Sequence, residues 1–119
     1  MDERFIEVVV RTKELGEKVL EELEHTQRLI NEGQFEQSVY MFEEAMKGYA
    51  QIEAAIKPAA SAELVVHFDW VVKVANQIVA AYSEQAFEQV KEMLQKSMIP
   101  AFKKLDQAIE ETYKDYLTQ

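Results

Sequence analysis

Apolar side chains recur every three or four residues along most of this chain, and the places where that rhythm breaks divide it into segments. Over residues 2–32 they fall at Phe5, Val8, Val9, Thr12, Leu15, Val19, Leu23, Thr26 and Ile30, the one-faced periodicity of an amphipathic helix, with Asp2 placed to cap its start. The β-branched run Val8-Val9-Val10 would suit a strand, but no second strand-like segment exists to pair with it. Asn31-Glu32-Gly33 offers residues that tolerate a left-handed backbone, so a short turn is expected there.

A second helix, 34–57, carries Phe35, Ser38, Val39, Phe42, Ala45, Met46, Tyr49, Ile52 and Ile56 on one face. Gly48 inside it costs roughly 1 kcal/mol relative to alanine, which predicts a close approach of another helix at that point. Pro58 disfavours helical geometry at Lys57, and Ser61 can cap a third helix at 62–82. That helix has an expected core stripe of Leu64, Val65, Phe68, Val72, Ala75, Val79 and Tyr82, beside which Val66, Trp70 and Val74 form a second apolar row. A turn at Ser83-Glu84-Gln85 is expected from compactness and from the capping ability of serine. The final stretch, 84–117, presents Phe87, Val90, Leu94, Met98, Phe102, Leu105, Ile109, Thr112 and Tyr116. Pro100 removes the hydrogen bond to Lys96, predicting a kink or restart near Met98.

These segments predict an all-α fold: one domain over 1–119, an antiparallel up-down-up-down four-helix bundle with its last helix kinked near Pro100. At 1.5 Å per residue the outer two segments would span roughly 45–50 Å and the middle two about 31–36 Å. The kink would reduce that mismatch. Acid-then-lysine pairs four apart, Glu14/Lys18, Glu43/Lys47, Asp69/Lys73, Glu92/Lys96 and Glu110/Lys114, support exposed helix faces.

Composition narrows the function. With 119 residues, 48% hydrophobic, three glycines and two prolines, the chain has material for a core and none of the bias of a linker. A net charge of −9 argues against nucleic acid, whose affinity for proteins comes from Lys and Arg displacing counterions, and against anionic membrane surfaces. The absence of cysteine removes disulfides, thiolate metal sites and thiol nucleophiles and fits a reducing, cytoplasmic setting. Residues 64–82 have nearly the length of a membrane span, but His67, Asp69, Lys73, Asn76 and Gln77 interrupt them, so a buried helix is expected and no membrane partner.

Few residues suggest chemistry. Glu22 and His25 have the Glu-x-x-His spacing used in dimetal bundles, and with His67 they are the metal-ligand candidates. No second such pair accompanies them, so the expected reading is surface pairing, with no metal and no cofactor. His67 is expected at a helix seam and Asp69 paired with Lys73. No nucleophile with a neighbouring base and no phosphate-binding loop occurs, so no enzymatic activity is expected. The extra row on the third helix must be covered by something, either the last helix or a partner. Val66, Trp70 and Val74 are therefore the candidate interaction surface, with Tyr40, Met41 and Tyr49 of the second helix positioned to enlarge it. The partner expected is another protein or a second copy.

Residues 33–45, with Gly33, Phe35, Ser38, Phe42 and Ala45 at matching positions, resemble the second helix of a tetratricopeptide repeat, but the pattern does not recur at the 34-residue period such an array requires. The order of long helix, glycine turn, second helix, apolar third helix and proline-bearing fourth, with Met98-Ile99-Pro100-Ala101-Phe102-Lys103-Lys104-Leu105, resembles small helical-bundle proteins of Bacillus-type bacteria. It is more faintly similar to flagellar export chaperones. Those chaperones are likewise acidic helical bundles that hold a partner's amphipathic helix; the resemblance implies the fold and transfers no site residue.

Overall fold

In the computed structural model, which describes residues 3–117, every regular element is helical and no strand occurs among the described residues. Asp2, expected to cap the first helix, lies outside that range. Helix α1 runs Glu3–Asn31, α2 Phe35–Ile56, α3 Ala62–Ser83, α4 Phe87–Met93, α5 Ile99–Thr112 and α6 Lys114–Leu117. A 3-10 turn at Lys57–Ala59 follows α2, and a π-helical segment, Leu94–Met98, joins α4 to α5.

The turn after α1 closes as expected on Gly33, at φ +75°. The Gly33 N–H donates to the Ile30 carbonyl at 3.0 Å and the Gln34 N–H to the Leu29 carbonyl at 2.8 Å, the paired bonds that satisfy a helix's last carbonyls. The turn after α3 repeats this geometry without glycine. Gln85 takes φ 56°, its N–H donates to Tyr82 at 3.0 Å, and Ala86 donates to Ala81 at 2.9 Å. A left-handed residue with a side chain costs about 1 kcal/mol. Ser83 does not cap: its hydroxyl donates back to the Val79 carbonyl at 3.1 Å, and helix resumes only at Phe87 rather than at 84. Ser61 does cap α3, accepting from the Leu64 N–H at 3.3 Å.

Packed neighbours meet with residue numbers rising on one helix and falling on the other. Val19 of α1 lies against Gly48 of α2, which is the close approach that the interior glycine predicts. The Tyr49 hydroxyl of α2 lies within hydrogen-bond distance of the Phe68 carbonyl of α3 (3.0 Å) and of the Glu53 carboxylate (2.8 Å). Ser38 donates to the Phe35 carbonyl, so the Tyr82 hydroxyl, 3.0 Å away, donates to Ser38. The last stretch returns along α1, with Asp106 over Gly16, Lys13 paired to Glu110 at 3.3 Å, and Phe5 edge-on to Tyr113 and Tyr116.

Near Met98, where Pro100 predicts a kink or a restart, the helix passes through a π segment and α5 begins at Ile99. The π segment carries the helix to the proline, with the Ile99 N–H reaching the Leu94 carbonyl. Proline has no N–H for the carbonyl of Gln95 or Lys96, but both residues are exposed, so water can take that role.

The burial pattern explains the π segment. Phe87-Glu88-Gln89 repeats Phe35-Glu36-Gln37 52 residues later, and the two phenylalanine rings stack, 4.2 Å apart and 5° from parallel. Buried positions recur at the same offset: Val19 and Val71, Thr26 and Ile78, Leu29 and Ala81, Ser38 and Val90, Phe42 and Leu94. Beyond the π segment the offset becomes 53, matching Ala45 with Met98, Tyr49 with Phe102, Ile52 with Leu105 and Ile56 with Ile109. The chain is thus built from two like helical hairpins, and the π segment absorbs one extra residue while keeping the second hairpin's core face inward.

The length mismatch of the segments survives. Helix α1 has 29 residues and α2 and α3 have 22 each, so the start of α1 and the α5–α6 end project together beyond the other two, clamped by Phe5, Tyr113 and Tyr116. The overall extents are 48 × 23 × 19 Å.

Candidate interaction surface

The second apolar row on α3 divides. Val74 is 1% exposed and belongs to the core, whereas Trp70 is 50% and Val66 64% exposed. Val79, expected in the core stripe, is 53% exposed. The reason is that α3 packs closely on α4–α5 along one flank and on the other meets α2 through long side chains, Tyr49 with Phe68, and Ser38 and Phe42 with Tyr82. Its buried face is therefore centred between them, on Leu64, Phe68, Val71, Val74, Ile78 and Ala81, and is rotated from the stripe read along the sequence. Trp70 and Val66, one turn apart, fall on the outer face.

The charged residues there are not arranged as expected. Asp69 pairs with Lys57 at 3.3 Å rather than with Lys73. The Lys73 ammonium sits 5.4 Å from the centroid of the Trp70 ring, a cation–π contact that covers part of the indole and leaves the rest open. The same helix is, by length and composition, apolar enough to cross a membrane, and a third of its most apolar window is buried inside the fold.

The second-helix residues do not enlarge the Trp70 face. Tyr49 is buried. Tyr40 and Met41 line a separate groove between α1 and α2 with His25, Leu29, Gln37 and Glu44. Val79 lines another, between α2 and α3, with Phe42, Met46 and Ala50. An open concavity of about 660 Å³ was missed in the sequence: it lies along the outer face of α1, on Ile6, Val10 and Leu15 among Glu7, Arg11, Glu14 and Lys18. Its signal was Val10, which stands off the core stripe of its helix.

Glu22, His25 and His67 are not brought together, and among the described residues no group of three or more His, Cys, Asp and Glu could hold a metal ion. Burial at the α1–α2 seam raises the Glu22 carboxyl above its usual range, opposed by Lys18 and reinforced by Glu44 and Glu21. His25 faces the Tyr40 groove instead.

Asp106 is the other perturbed carboxyl. Burial against Gly16 raises its pKa first, then Glu110 and Glu17, with Lys13 opposing. A folded-state pKa above the unfolded value means that ionisation costs stability at neutral pH, and the cost vanishes as pH falls below the unfolded value of 3.8. Asp106→Asn should therefore stabilise the protein at about pH 7, with the gain falling away as the pH drops well below 3.8. Urea denaturation as a function of pH measures this.

The family model described as a domain of unknown function, DUF8042, matches residues 7–108, and the chain belongs to that family. No curated protein and no solved structure matches the chain.

Proposed function

We propose that this DUF8042 domain is a non-enzymatic protein-interaction module, an antiparallel four-helix bundle whose third helix offers Trp70 and Val66 to an amphipathic helix of a partner. The observation that carries this reading is the half-exposed indole beside an exposed valine, one turn apart, on a helix that otherwise buries its large apolar side chains or lends them to grooves with α2. Tryptophan is the residue type most enriched in the energetic centres of interfaces, because it brings a large rigid apolar area at little entropic cost. The net charge of −9 favours a partner helix with basic flanks. The side chains that the sequence marks for chemistry remain apart, which supports a binding role over catalysis.

Removing the indole tests this. Trp70→Ala is expected to change folding stability by less than about 1 kcal/mol, since half of its surface is already in water, while a Val66→Asp, Trp70→Ala variant of wild-type melting temperature fails to retain a partner that the wild-type chain captures from its source cells. A loss of stability of the size of a core truncation, or partner capture unaffected by the double substitution, would contradict the proposal.

A further inference from the structure

The two like hairpins do not meet alike along their two seams. Where α1 runs beside α5, Gly16 lets the Asp106 carboxyl lie against its backbone, and the helices pack closely. The equivalent positions at the α2–α3 seam, at the offsets of 52 and 53, are Phe68 and Glu53. Phe68 puts a buried ring where Gly16 has none, and the Tyr49 hydroxyl reaches across to its carbonyl at 3.0 Å. Helices α2 and α3 stand apart, joined by these long side chains, and the outer side of their seam stays open as a groove.

The groove is apolar and closed at both ends. Phe42, Met46 and Ala50 of α2 line it opposite Val79 of α3, and the half-buried Val72, two turns before Val79, continues the α3 wall. The Lys57–Asp69 ion pair bridges one end. Ser38 with Tyr82, and the stacked Phe35 and Phe87 rings, close the other. Between these closures α2 runs for about 14 residues, ~21 Å, which is the length of a short helix. The charges along its rim are unevenly committed. Lys47 is held by Glu44 and Lys57 by Asp69. Glu36 and Glu43, seven residues apart on one face, make no ion pair among the described residues.

We infer that the α2–α3 groove is a docking site in its own right for one amphipathic helix of another protein. The apolar face of that helix lies on Phe42, Met46 and Val79, and basic residues seven apart on its flank meet Glu36 and Glu43. Val79, nine residues from Trp70, points to the opposite side of α3. The groove and the Trp70 face are thus separate sites.

A fluorescein-labelled helical peptide of about 18 residues, with one leucine stripe and lysines on the same flank in successive heptads, is the probe for the full chain. A second peptide with glutamate for each lysine is its control. By fluorescence anisotropy the lysine peptide is expected to bind with a dissociation constant on the order of 10 μM, and the glutamate peptide at least about tenfold more weakly. Val79→Arg and Glu43→Lys, both at exposed positions, are expected to keep the wild-type melting temperature and each to weaken the lysine peptide by about tenfold. Trp70→Ala leaves its affinity unchanged. No binding of the lysine peptide, equal binding of both peptides, or binding that Val79→Arg leaves intact would overturn the inference. Loss of binding in Trp70→Ala would assign the peptide to the other face and overturn it as well. Binding of palmitate, or dimerisation of the chain, that Val79→Arg abolishes while neither peptide binds would give the groove to a lipid or to a second copy instead.

Discussion

Phe68→Ala is expected to destabilise the protein by about 3–5 kcal/mol, a large part of the 5–15 kcal/mol that holds a typical domain together. Phe68 is wholly buried on α3, its ring lies 6.2 Å from that of Tyr49, and its carbonyl lies 3.0 Å from the Tyr49 hydroxyl of α2. Truncation leaves a cavity between helices that can close only partly, because both flanks of α3 are packed. Urea denaturation measures the effect. Trp70, two positions along the same helix, supplies the comparison: the larger side chain is expected to matter less to folding by several-fold. A loss under about 1 kcal/mol at Phe68 would mean that α3 does not turn this face inward.

Gly48→Ala is expected to destabilise by about 1–2 kcal/mol, opposite in sign to what helix propensity alone gives. A Cβ at position 48 would stand 2.6 Å from Val19 Cγ2. Valine in a helix is held to one preferred rotamer, so that methyl cannot swing aside, and α1 and α2 must separate instead. Thermal and urea denaturation of Gly48→Ala, Val19→Ala and the double variant form a cycle. The double variant is expected to be more stable than the sum of the two single losses, since removing the Val19 methyl groups makes room for the new Cβ. Independent, additive losses would place the strain elsewhere.

Helix positions along the chain were legible because periodicity, Gly33, Pro58 and Ser61 are local signals that tertiary contacts did not override. The close approach at Gly48 was legible for the same reason, since an interior glycine has a cost that only packing offsets. What was hidden depended on geometry between distant segments. The register of α3 could not be read from its own residues: nearly every turn offers apolar candidates, and only the presence of neighbours on both flanks selects Val74 over Val79. The turn at Gln85 carries no glycine, so its left-handed residue had no local mark. The recurrence of Phe-Glu-Gln at a 52-residue spacing was present in the letters, but the extra residue in the π segment puts the second half of the hairpin out of step. At the candidate site, Trp70 and Val66 emerge on the outer face from a row flagged by its surplus of apolar residues, and Val74, Tyr40, Met41 and Tyr49 separate from them because their helix faces point elsewhere.

The proposed function requires that the outer face of α3 around Trp70 meet a partner protein in the cell. A photo-crosslinking amino acid placed at position 70, and for comparison at the exposed position 103 on α5, tests it in the source organism. The predicted result is a discrete adduct of this domain with one protein from position 70 and none from 103, lost when Val66→Asp is added. The contradicting result is no adduct from position 70, or the same adducts from both positions.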